Sequence, residues 1–217
     1  MVEPGALREH HRQRTHRTIS DAAITLFLER GFDQVSVMDI AAAAEVSKPT
    51  VFKYFPTKED LVVHRYTDYK TMVDTAVRKR QPGMSPLAAL HQEFLRCLAR
   101  RAPVTGLNDQ ARIVRMHGLV YSTPSLQGRA AQYLTQAEDV LAQVLHQAAG
   151  TGHRDIGTHL LACQVIASGR VLAYANWQRI LSGHTAEEVS ADAVADANLA
   201  FSRLQAGLAA TAAESAD

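Results

Sequence analysis

The sequence predicts an all-α protein, and three observations carry that reading. Apolar residues recur at helical spacing along almost the whole chain, and no sustained apolar–polar alternation marks a strand. Glycine, proline and small polar residues fall between the periodic segments, where they punctuate helices. The expected architecture is a small N-terminal three-helix domain containing a helix-turn-helix, followed by a larger helical domain.

Residues 1–11 read as a flexible basic tail. The first helix is expected from about Arg12 to Arg30, with Ile19, Ala22, Ala23, Leu26 and Phe27 on one face. Gly31 stands where a left-handed residue ends a helix. Ser36, followed three residues later by Asp39, has the capping-box pattern and opens a short helix turning Ile40, Ala41 and Ala44 inward. Val46 marks a turn. Ser47 caps the next short helix, which tolerates Pro49 because an amide in the first turn has no intrahelical partner. That helix ends near Phe55-Pro56, closing a helix-turn-helix domain over residues 12–60.

Thr57 with Asp60 repeats the capping pattern and opens a long helix through Leu61, Val62, Tyr66, Tyr69 and Val73 towards Arg80, a connecting helix over 61–80. Gln81-Pro82-Gly83-Met84-Ser85-Pro86 is the expected linker and domain boundary, since two prolines and a glycine in six residues break a helix. Further helices are expected at 86–101, 107–120, 124–149, 155–182 and 185–209. Pro103, Ser122-Thr123-Pro124, Gly150-Thr151-Gly152 and Ser182-Gly183 separate them, so that the second domain covers 86–209. Residues 210–217, small and acidic, read as a second flexible tail.

At 217 residues, 47% hydrophobic and 21% charged, the chain can bury a core as one large domain or two small ones. No uninterrupted apolar run approaches the roughly 18–20 residues needed to span a bilayer, and no apolar stretch opens the chain, so the expected location is cytoplasmic. Cys97 and Cys163 lack metal-ligand spacing and read as small buried apolar residues. No metal or cofactor is expected. The histidines are scattered without a nucleophile elbow, phosphate loop or HExxH pattern, so no enzyme is expected either. The net charge of +1 says little, because Asp21, Glu29, Asp33, Asp39, Glu45, Glu59 and Asp60 offset the basic residues of the N-terminal third.

Two short helices across a tight turn, here Val37–Glu45 and Lys48–Phe55, are the arrangement that lets the second enter the DNA major groove. Val51 and Phe55 take the core side and leave Lys48, Pro49, Thr50, Lys53 and Tyr54 available. The run from Gly31 to Ala41, then Ala44 to Leu61 with its Tyr54-Phe55-Pro56-Thr57-Lys58-Glu59-Asp60-Leu61 segment, resembles the DNA-binding domain of TetR-family regulators over about the first quarter of the chain. The resemblance implies a homodimer on double-stranded DNA, a ligand-responsive repressor on an inverted-repeat operator, with an effector binding the C-terminal domain. By matching position, it implies Lys48, Pro49 and Thr50 at the start of the recognition helix and Lys53 one turn later, within reach of a base or a phosphate. It implies Ser36, Tyr54 and Lys58 on the DNA backbone, with Arg14 and Arg17 near the backbone or minor groove. Val35, Met38, Glu45 and Pro49 depart from the residues frequent in the family.

In the second domain, Ala162, Ile166, Gly169 and Ala173, with Val189, Ala193, Ala197, Ala200 and Leu204, form two apolar seams of mostly small residues. Paired across a two-fold axis they would make a four-helix dimer interface; the alternative is that both pack inside one subunit. Phe94, Arg112, Met116, His117, Tyr121, Tyr133, Tyr174 and Trp177 are the candidate effector contacts, apolar walls with a few polar tips. The segment Arg115 to Leu126 resembles one found in actinobacterial TetR-type C-terminal domains, including a mycofactocin-type subgroup. That resemblance implies a hydrophobic or acyl-CoA-like effector.

Overall fold

A computed structural model describes residues 4–150 and 156–214. Every regular element among them is helical: α1 (Pro4–Arg30), α2 (Val37–Ala43), α3 (Lys48–Tyr54), α4 (Asp60–Val63), α5 (Tyr66–Arg78), α6 (Pro86–Ala99), α7 (Ala111–Ser122), α8 (Pro124–Ala149), α9 (Ile156–Leu181) and α10 (Ala186–Glu214). A 3-10 turn at Pro103–Thr105 sits between α6 and α7.

Both expected tails are shorter than the sequence suggested. α1 begins at Pro4 instead of Arg12: proline is compatible with a first helical turn, and Glu9 supports the next turn by accepting from Arg12 and Gln13. α10 runs to Glu214, carried by an alanine-rich end with the highest helix propensity. The remaining parts of the expected tails, 1–3 and 215–217, lie outside the described residues, as does most of the expected Gly150-Thr151-Gly152 break. The single helix expected from Thr57 to Arg80 is divided at His64-Arg65 into α4 and α5.

The chain forms two compact units. One holds the described residues up to Arg65 together with Gly118–Ala130; the other holds Tyr66–His117 with the described residues from Ala131 onward. The boundary therefore falls at Arg65-Tyr66, and the expected linker at 81–86 is instead a tight turn inside the second unit. Arg80 pins that turn by donating to the Met84 and Val77 carbonyls at 3.1 and 2.8 Å. The first unit is also not contiguous in sequence. Leu126 is fully buried in it, and Arg129 donates to Asp60 in a bidentate pair, Nε to Oδ1 at 2.7 Å and Nη2 to Oδ2 at 3.1 Å.

The core of the first unit is built by Ile19, Ala23, Ile24 and Phe27 of α1, Ile40 and Ala41 of α2, Val51 of α3, Phe55, and Leu61, Val62 and Val63 of α4. The second unit packs Val73 and Val77 of α5, Leu90 and Phe94 of α6, Leu141 of α8, Ile166 of α9 and Val189 and Phe201 of α10.

The two seams expected at a dimer interface are corrected here. Ala162, Ile166, Gly169, Val189, Ala193 and Ala197 are buried within one subunit, where α9 packs on α10, while Ala173, Ala200 and Leu204 are half-buried. The smallness of Gly169 serves this subunit, because a Cβ there would run into the hydroxyl of the buried Tyr69. What α9 leaves in water is a different stripe, Ile156, Leu160, Val171, Tyr174 and Leu181. α9 is also long and apolar enough, by length and composition, to cross a membrane. Its apolar residues divide between a face in the subunit core and this exposed stripe.

Candidate nucleic-acid interface

The helix-turn-helix is assembled by local hydrogen bonds that the sequence spells out. Ser36 caps α2: its Oγ accepts from the Asp39 amide at 3.1 Å, and the Asp39 carboxylate accepts from the Ser36 amide at 2.8 Å and hydroxyl at 2.6 Å. The turn after α2 closes as Val46 N–H donates to the Ala41 carbonyl at 2.9 Å, with Glu45 in the left-handed region at φ +54°. Ser47 then caps α3 through the Thr50 amide at 3.2 Å, and Pro49 occupies the first turn.

With Val51 and the following Phe55 turned into the core, the start of α3 presents Lys48 and Pro49 to solvent, and Thr50 is half-buried. The Thr50 hydroxyl shares a 2.8 Å hydrogen bond with Ser47 Oγ. Phe52, which sequence reasoning passed over, is 42% exposed one turn beyond Lys48, whose ammonium lies 6.0 Å from its ring centroid. Met38 on α2 is 67% exposed. Large apolar side chains held in water beside a polar helix start offer contact to thymine methyl groups. The signal for Phe52 was its i+4 relation to Lys48, which places both on one side of a short helix.

Two residues expected on the DNA backbone are engaged inside the protein. Lys58 Nζ donates to the Phe32 carbonyl at 2.6 Å and lies 4.3 Å from the Phe32 ring centroid and 5.6 Å from that of Phe27, so it ties the end of α1 to the entry of α4. The Ser36 hydroxyl proton is committed to Asp39.

Lys53 and Tyr54 sit at the opposite end of α3 from Lys48. With Arg12 and His16 of α1 they line a cleft of about 310 Å³. The His16 ring is held against Phe55 at 4.4 Å between centroids, with His64 at 4.9 Å and Tyr54 at 6.3 Å, both edge-to-face. Burial, with lesser contributions from His16 and Arg65, pushes the pKa of His64 down to about 4. Arg14 and Arg17 are exposed on α1 and do not line this cleft. At about 100° per residue, Arg14 points nearly opposite to Arg12.

The expected effector residues have different environments. Phe94, Met116 and Trp177 are core residues, the last donating from Nε1 to the Val114 carbonyl at 3.1 Å. His117 is half-buried and its pKa is pushed down to about 4 by desolvation. Tyr133 is half-buried, Arg112 is exposed, and Tyr174 belongs to the exposed stripe of α9 with its hydroxyl accepting from Gln178 at 2.8 Å. Tyr121 is part of the first unit. A cleft of about 590 Å³ instead opens beside α5 and α6, lined by none of these eight; Met72, Met84, Lys79, Arg80, Arg96 and Arg100 are among its walls. Of its cations, Arg96 and Arg100 are paired with Glu93.

Among known proteins, residues 19–64 match the family model "Bacterial regulatory proteins, tetR family". The chain is 30% identical over 176 residues to the HTH-type transcriptional regulator TcmR of Streptomyces glaucescens, covering 78% of this chain and 76% of that protein. It is 29% identical over 149 residues to the HTH-type transcriptional repressor LfrR of Mycolicibacterium smegmatis, covering 68% and 69%. Among solved structures, that of the SmeT–triclosan complex aligns with a TM-score of 0.56 at 18% identity, covering 89% of this chain and 91% of that one.

Proposed function

Because the chain belongs to the TetR family of bacterial regulatory proteins, and so is a DNA-binding transcriptional regulator, we propose that it is a ligand-responsive repressor acting as a homodimer on an inverted-repeat operator. The single observation that carries the DNA reading is the capped α2–turn–α3 unit with Lys48, Pro49 and Thr50 at the start of α3. Base readout falls to Lys48 and Thr50, with Pro49, Phe52 and Met38 supplying apolar contact to thymine methyls. Lys53 and Tyr54 serve the backbone, with Arg14 and Arg17 adding electrostatic attraction along it. Lys58 acts first as an internal tie and Ser36 as a helix cap. Repression follows from a dimer covering promoter DNA, which needs no contact with polymerase, and it matches the description of LfrR as a repressor. The cytoplasm is the compartment in which this protein would meet its operator.

The homodimer is assigned to the exposed stripe of α9, since a helix apolar on both its core and its outer face calls for a second surface to cover the latter. The effector is a small molecule, a reading supported by the triclosan bound in the SmeT–triclosan complex, a protein of similar fold. The cleft beside α5 and α6, with two methionines and several cationic side chains, suits an anionic amphiphile such as an acyl-CoA. Sequence preference measured on randomised duplexes tests the readout. Thr50→Ala is expected to relax preference at one position per half-site, by roughly 1–3 kcal/mol for a base contact, whereas Lys53→Ala weakens all sequences alike. Unchanged preference in Thr50→Ala together with altered preference in Lys53→Ala would reverse the two assignments.

A further inference from the structure

We propose that the cleft between α1 and the end of α3 is a clamp for a single phosphodiester of the DNA backbone, with Arg12 as a phosphate-holding residue alongside Lys53 and Tyr54, and His16 as the wall that shapes it. The inference rests on the DNA-binding reading and adds to it a site on α1, outside the helix-turn-helix proper. The cleft, about 310 Å³, is bounded by four side chains, three of which, Arg12, Lys53 and Tyr54, carry a hydrogen-bond donor suited to an anion. Arg12 brings a planar fork suited to phosphate oxygens, Lys53 an ammonium and Tyr54 a phenol. His16 is the fixed wall: Phe55, His64 and Tyr54 pack around its ring, so its position does not depend on a flexible side chain. Lys53 and Tyr54 belong to the recognition helix, so a phosphate held here fixes that helix in register against the duplex.

The protein also carries a competitor for the site. Glu9 accepts from Arg12 Nε and Nη2, both at 2.9 Å, and from Gln13 at 3.0 Å. A guanidinium has five N–H donors, so three remain for a phosphate while Glu9 is bound. The carboxylate nevertheless opposes an incoming anion, and its removal should strengthen binding.

The test uses the full-length protein and the duplex it selects, with methylphosphonate replacing one backbone phosphate at a time, which removes a single charge. Wild type is expected to lose about tenfold in affinity at one position per half-site, and Arg12→Gln to lose a similar factor on the natural duplex but nothing more at that position. Thr50→Ala should retain the penalty there. Arg12→Gln should also make the salt dependence shallower by about one unit in log–log slope for each clamped phosphate, and Glu9→Gln should raise affinity two- to threefold. Circular dichroism of each variant separates loss of the clamp from loss of fold, and His16→Gln gives a second variant with the same expected position of loss. Methylphosphonate penalties identical in wild type and Arg12→Gln at every position would overturn the clamp while leaving DNA binding intact. So would inorganic phosphate shifting the His16 ring resonances while Arg12→Gln binds operator like wild type, which marks a free-anion site. Wild-type protein with no affinity for any duplex would defeat the DNA-binding reading itself.

Discussion

Glu45 is the residue whose backbone works hardest against its own chemistry. The turn between α2 and α3 needs a left-handed residue, and a glutamate supplies it at φ +54° although an L side chain pays steric energy there. Glu45→Gly is therefore expected to stabilise the first unit by up to about 1 kcal/mol in urea unfolding, and an unchanged or lower midpoint would mean that the turn is not strained. Lys58 is the converse, a cation at work inside the fold. Lys58→Met keeps the aliphatic stem but removes the hydrogen bond to Phe32, and should lower stability by about 1.5–3 kcal/mol, the range for a bond to a charged group. Wild-type stability with reduced DNA affinity would instead return Lys58 to the DNA backbone. His64 and His117, both with pKa pushed down to about 4 by burial, contribute to the response to acid. Unfolded, each titrates near 6.5, so below that pH the unfolded chain binds more protons and stability falls. The expected slope approaches about 1.4 kcal/mol per pH unit per histidine between pH 6.5 and 4, and His64→Gln should remove its share from the pH dependence of the unfolding free energy.

At the scale of elements, the local signals were legible and the long-range ones were not. The Ser36–Asp39 box, the Ser47 cap and the Gly31 stop are written within four residues of the bonds they make, and the structure has each of them. The Asp60–Arg129 pair joins residues 69 apart, and no periodicity announces that a piece of α7 and α8 belongs with the helix-turn-helix. The same blindness misplaced the seams of α9 and α10: small apolar residues look alike whether the neighbouring helix comes from the same subunit or a second one. Likewise nothing local in the sequence brings Arg12 of α1 together with Lys53 and Tyr54 of α3, some forty residues on, although all three line one cleft. The buried carboxylate of Asp60 makes a prediction. Arg129→Met leaves it without its cation and should cost about 3–5 kcal/mol, while adding Asp60→Asn should recover part of that loss; strictly additive losses would show that the two residues act independently.

For the whole molecule, the proposed dimer face on the exposed stripe of α9 and the proposed DNA-reading start of α3 imply one another. A single short recognition helix contacts too few bases for tight specific binding, and a two-fold dimer doubles the contacts on a palindromic site. Val171→Arg on the exposed stripe is expected to yield a folded monomer in analytical ultracentrifugation with operator affinity reduced at least tenfold. A variant that remains dimeric would move the interface to another face. The most direct measurement of the central claim is selection of genomic DNA fragments by the purified protein at near-physiological salt, followed by sequencing of what is retained. A dimeric, sequence-reading regulator predicts an enriched inverted repeat with half-sites set by the spacing of two α3 helices; retention of fragments without any shared sequence, or none at all, would contradict it.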